Sequence, residues 1–345
     1  MFTVKSLVAR SALIGAAISL VSSQTVAQEA TIPDLEGIWT NASLTGLTRP
    51  RDVEKLIVTA DEAQVIAANT SIAGLPVGEF EAPEASTPGA APAAGSIDFG
   101  LRAYNDFWVD PGSTLALVKG EYRSSYIINP ENGQIPRVDN PVGLERRSFG
   151  SRYLTGVGDT SGPEALPLAE RCLLGFGNTS GPGMMGTLYN STYQFVQTDD
   201  YVMILIEMVH DARIIPLYAS AAEARANARP AVLQQWLGDS RGWYENGELV
   251  VETININPEQ MAQSSIPITA DGKFTERFSR YSDTEIVYRF TVEDENLYSQ
   301  AWTAELSYHA TDGSVYEYAC HEGNYAMPGI LAGARRQDWE ASQAQ

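Results

Sequence analysis

The chain has 345 residues, 44% of them hydrophobic, and 43 Asp and Glu against 23 Lys and Arg, for a formal net charge of −20. Such an apolar content supports a packed core rather than general disorder, and 2 Cys cannot staple a chain of this length into a disulfide scaffold. The acidic balance speaks against a nucleic-acid partner, which needs a basic face for its phosphates.

Met1–Ala27 reads as a secretory signal peptide. Lys5 and Arg10 supply the basic start, Ser11–Val21 is an uncharged apolar run too short for a membrane span, and Thr25-Val26-Ala27 fits a small-residue cleavage site. Its removal takes the net charge from −20 to about −22, because two basic residues leave with it. No later run has 18 apolar residues, so no transmembrane segment is expected in the mature chain. Export makes a bridge between Cys172 and Cys320 reasonable; two separate buried thiols are the alternative.

Leu35–Thr40 predicts a first strand carrying Trp39, and Thr59-Ala60-Asp61-Glu62 is a capping box opening a short helix. Residues 76–97, rich in Ala and Pro, predict a flexible loop. Tyr104–Trp108 is an aromatic cluster, either core or pocket wall. Ser124–Ile128 predicts a strand followed by an Asn132-Gly133 turn, and 155–187 a long Gly- and Pro-rich excursion.

From Tyr193 the pattern becomes regular. Tyr193–Gln197, Tyr201–Met208 and Ala212–Leu217 predict successive strands. Ser220-Ala221-Ala222-Glu223 is a second capping box, and Pro230 predicts a short helix ending near Trp236. Three hairpins follow: 243–255 around Asn246-Gly247, 274–292 around Ser282-Asp283-Thr284, and 299–322 around Asp312-Gly313. Pro328 starts a C-terminal helix. An antiparallel meander of this length must bury one face and remove its edges. The expected fold is therefore mainly β: a meander closed or nearly closed into a calycin-like (lipocalin-like) barrel of about 8–10 strands, with short helical insertions and a C-terminal helix. The chain divides into the signal peptide (1–27), an N-terminal strand and helix packing on the barrel (28–75), the Ala/Pro-rich loop (76–97) and the barrel domain (98–345).

Candidate catalytic residues are His210 beside Asp211 and His321 beside Glu322, since a histidine with a carboxylate neighbour serves as a general base near neutral pH. Neighbours on a strand point to opposite faces, so packed structural histidines are the competing reading. Glu207-x-x-His210 has a metal-type spacing, but on a strand that spacing separates the two side chains. No metal run, phosphate loop or nucleophile elbow occurs, and no metal or cofactor is expected. Candidate ligand-binding residues are Glu207, Arg213, Arg241, Trp108 and Tyr325. The arginines either grip a ligand carboxylate or make structural ion pairs, and Trp39, Trp236, Trp243 and Trp302 either line a cavity or fill a core. Ser240 reads as a turn serine.

Four blocks, Tyr193–Thr198, Glu207–Leu217 (EMVHDARIIPL), Trp236–Thr253 (WLGDSRGWYENGELVVET) and Tyr316–Tyr325 (YEYACHEGNY), resemble those of a large family of exported bacterial proteins of unknown function. That resemblance implies a bacterial source and a periplasmic or secreted location, and no reaction. The expected function is binding of an apolar or amphipathic small molecule. The alternatives are an acid–base enzyme of hydratase, isomerase or lyase type on the same scaffold, and a structural envelope protein without a ligand.

Overall fold

Two of the three predicted hairpins, 243–255 and 274–292, lie where their turn residues put them. In a computed structural model, which describes residues 32–69, 110–141, 158–261 and 265–344, the strands in chain order are β1 (Gly37–Thr40), β2 (Ile57–Val58), β3 (Leu117–Val118), β4 (Glu121–Arg123), β5 (Ile127–Asn129), β6 (Thr192–Gln197), β7 (Tyr201–Ile206), β8 (Ala212–Pro216), β9 (Asp239–Glu245), β10 (Glu248–Ile254), β11 (Lys273–Ser282), β12 (Glu285–Glu293) and β13 (Trp302–Ala310). The helices are α1 (Ala60–Ala68), α2 (Ala221–Ala226), α3 (Pro258–Met261), α4 (Cys320–Gly323) and α5 (Ala326–Gln343). The signal peptide, the Ala/Pro-rich loop and Trp108 lie outside the described residues.

Nine strands run β8-β7-β6-β1-β13-β12-β11-β10-β9, every neighbouring pair antiparallel, and β5 adds to β13. The result is a nearly closed barrel. β1 is not an appendage: it inserts between β6 and β13, pairing Trp39 with Tyr193 and with Ala310. An odd number of alternating strands leaves the two end strands parallel. The chain therefore meets itself at β8 and β9 through a single parallel bridge, Leu217 to Gly242, with Tyr218 N–H on Gly242 O at 2.9 Å. Parallel neighbours need a crossover connection, and residues 217–238, carrying α2, supply it. A Cβ on Gly242 would lie 3.1 Å from Ile215 Cγ2 and from Leu217 Cδ2, so the missing side chain lets the two strands approach.

Alternation sorts the side chains. Phe274, Glu276 and Phe278 on β11 face inward with Tyr288, Phe290 and Val292 on β12 and with Trp302, Ala304, Leu306 and Tyr308 on β13, all buried. Outside the barrel, β2, β4 and β3 form a small sheet beside α1. The Thr59 box opens α1 as predicted, with Glu62 N–H on Thr59 Oγ1 and Thr59 N–H on Glu62 Oε2. The Ser220 box is half formed: Glu223 N–H bonds Ser220, but the Glu223 carboxylate takes Ala219 N–H instead.

Two predicted elements are absent. Residues 315–322 do not form a strand, because β13 has no edge left for them: at His309 and Ala310 it is paired with β1 on one side and β12 on the other. The segment runs as an irregular arm into α4 and α5. The Pro230 helix is replaced by turns and extended chain, where Gln235 makes an isolated bridge to Ile256. The Cys172–Cys320 disulfide forms, with Cα atoms 5.7 Å apart, and ties the 166–186 excursion to the arm. Among the described residues no helix is long and apolar enough to cross a membrane.

Candidate functional site

Among the described residues, buried side chains pack the barrel interior. Trp39 is buried there, and Tyr193, Phe195, Phe278, Tyr288 and Tyr308 pack with edge-on, tilted and stacked ring contacts at 4.7–5.7 Å. Residues 178–185 of the excursion are buried as a plug. Tyr193 Oη donates to Thr179 O (3.1 Å), Met184 N–H to Tyr288 Oη (3.0 Å) and Gln260 Nε2 to Gly181 O (2.7 Å).

One ionic group sits among these rings. Arg213 donates to both Glu276 oxygens, at 2.9 and 2.5 Å, and Tyr288 Oη donates to Glu276 Oε1 at 2.5 Å. Arg213 Nη2 also reaches Ser240 Oγ at 3.2 Å, and Ser240 meets Thr253 Oγ1 at 2.8 Å. Burial lowers the Arg213 pKa, but the Glu276 charge and hydrogen bonds outweigh it and hold the guanidinium above its ordinary value. Burial, reinforced by Glu276, keeps Tyr288 well above the ordinary phenol value; Tyr308 is raised by burial, then by Tyr193 and Tyr288. Arg213 Nε and Tyr308 Oη are buried with no hydrogen-bond partner among the described residues.

The block EMVHDAR spends its polar residues on separate segments. Glu207 accepts Tyr316 N–H (3.1 Å) and the His210 ring accepts Tyr318 N–H (3.3 Å), both from the arm. Asp211 accepts from Gly175 N–H (3.1 Å) and the Ser180 hydroxyl at the plug. Val209 and His210 have positive φ, 59° and 53°, which turns the chain between β7 and β8. His321 and Glu322 are exposed on α4, and Tyr325 is exposed just after it. Among the described residues no hydrogen bond joins His210 or His321 to a carboxylate. Arg241 is buried beneath α2, donating to Ala224 O at 3.2 Å between Asp239 (3.6 Å) and Glu252 (3.8 Å).

Among the described residues, one open groove lies at the seam. It has a volume of about 540 Å³ and runs outside β8, beneath the crossover. Tyr201, Ile214 and Pro216 form one wall, Trp236 and Leu237 the other, and Arg213 and Ser240 close the inner end, with Arg229 at the rim. Tyr201, Ile214 and Trp236 are 49%, 62% and 38% exposed, a concentration of apolar surface that marks binding sites. The volume falls in the range of small-molecule sites, about 300–1,000 Å³. The wall is held in place: Leu237 N–H bonds Gln260 Oε1 (2.6 Å), Gln235 exchanges bonds with Asn255 O and Asn257 N–H, and a Cβ on Gly238 (φ +74°) would lie 2.6 Å from Ile256 Cγ1.

Comparison with family models, with curated proteins and with solved structures gave no match to this chain. The groove's geometry therefore carries the functional reading. Of the residues singled out in the sequence, it contains Arg213 and Trp236. Tyr201, Ile214, Gln235 and Ser240 were not marked as site residues, since only the closure of the barrel brings them together. Ser240 stands on β9, not in a turn. The one local signal was the apolar Val232-Leu233 and Trp236-Leu237 in a segment read as a helix; Val232 and Leu233 are 86% and 52% exposed.

Proposed function

We propose that this chain is an exported binding protein that holds an apolar or amphipathic small molecule in the seam groove, outside the barrel wall. The observation that carries the reading is the pre-formed groove, with solvent-facing apolar walls and a polar inner end. The filled interior supports an external site over a cavity within the barrel. The disulfide supports export, since such bridges persist in oxidising compartments; the blocks similar to those of exported bacterial proteins support it further.

A ligand lying along β8 from Arg213 to Pro216 spans about 10 Å, three residues at about 3.3 Å each. Each 100 Å² or so of apolar surface removed from water contributes roughly 2–3 kcal/mol at about 25 cal/mol per Å². Micromolar affinity needs about 8 kcal/mol, and the polar end supplies part of the binding. Native mass spectrometry of the disulfide-bonded chain, followed by a fluorescence titration with amphipaths, tests the proposal. The expected result is a bound amphipath in the wild type and its loss in Ile214→Asp and Trp236→Ala. Equal retention by all three would refute it.

A further inference from the structure

We infer that the groove selects an anionic head group, so that its ligand is a carboxylate-bearing amphipath. The inference rests on the groove reading and adds the sign of the charge. Two arginines line the groove, Arg213 paired with Glu276 and Arg229 with Asp239; Asp239 also meets Arg241, which shares Glu252 with Arg225. Four cations facing three carboxylates leave one positive charge in excess, within a chain whose net charge is −20.

Arg229 supplies that excess. Its backbone N–H bonds Asp239 at 2.9 Å, but its side chain approaches Asp239 only through Nε, at 3.8 Å, and is 58% exposed. Among the described residues its two terminal nitrogens have no hydrogen-bond partner, which leaves a planar pair of donors at the rim, the geometry that grips a carboxylate. Arg213 is 2% exposed, borders the same end, and has a buried Nε–H without a partner. The other end of the groove lies at Tyr201, directly after the Asp199-Asp200 turn, where negative charge repels an anion. The ligand is thereby oriented, with its head at Arg229 and Ser240 and its apolar body along Trp236 and Ile214.

The test measures binding of decanoate, decanol and decyltrimethylammonium to the disulfide-bonded chain by calorimetry at neutral pH, with Arg229→Gln and Ile214→Asp beside the wild type. Arg229 is exposed, so its replacement leaves the fold intact, which a thermal melt checks. The wild type is expected to bind decanoate about tenfold more tightly than decanol, and the cation more weakly than either. Arg229→Gln should erase most of the preference for decanoate, and Ile214→Asp should weaken all three ligands. Equal affinity for the three heads, or an unchanged preference in Arg229→Gln, would overturn the head-group inference while leaving the groove standing. Binding of none of them, or binding indifferent to Ile214→Asp, would overturn the groove reading and this inference together.

Discussion

Arg213 and Glu276 meet inside a ring of aromatics, and removing one partner strands the other. Arg213→Met or Glu276→Gln alone should lower unfolding free energy by about 3–5 kcal/mol, whereas Arg213→Met with Glu276→Met should cost less than either. Urea denaturation of the three variants measures this; additive losses would contradict the pairing. Asp211 gives a second prediction at this scale. Burial raises its carboxyl above the ordinary 3.8, against the lowering bonds from Ser180 and Gly175. A folded value above the unfolded one means the contribution is complete below the unfolded value and is lost as pH rises through the raised one. Wild type should therefore lose stability relative to Asp211→Asn as pH rises above 3.8, and a constant difference would contradict the assignment. Both residues stood out in the sequence as polar groups at strand ends. Their partners did not, because Glu276 and Ser180 reach them only through the closed barrel.

At the scale of elements, local signals placed what was local. The Asn246-Gly247 turn, the Thr59 capping box and the alternation of β11 and β12 were legible because each depends on neighbours a few residues away. The fate of 315–322 depended on whether β13 had a free edge, which β1, more than 250 residues earlier in the chain, had already taken. The arm is instead held by Glu207, His210 and the disulfide. Closing a loop of 148 residues contributes about 4–5 kcal/mol in the chain-entropy account. Replacing Cys172 and Cys320 by Ser should lower stability by up to that amount. Hydrogen exchange should rise first in 311–344, with β11 to β13 still protected. Simultaneous loss of protection across the barrel strands would show that the bridge supports the barrel itself. Gly242→Val should push β8 and β9 apart and destabilise the chain by about 1–3 kcal/mol, as overpacking does, with the largest increase in exchange at Leu217 and Tyr218.

For the whole molecule, an odd count of antiparallel strands imposes a parallel seam, the seam imposes a crossover, and the crossover roofs a groove over the outer face of β8. The sequence carried the barrel but not this consequence, since strand count and the insertion of β1 are properties of the closed sheet. The proposed ligand lies in that groove and not inside the barrel. A decanoate analogue with a photoreactive group at the end of its chain, cross-linked to the protein and mapped by peptide mass spectrometry, tests it most directly. Labels are expected on Tyr201, Ile214 and Trp236, competed by unlabelled decanoate. Labels on inward residues such as Phe278 or Tyr308 would contradict it.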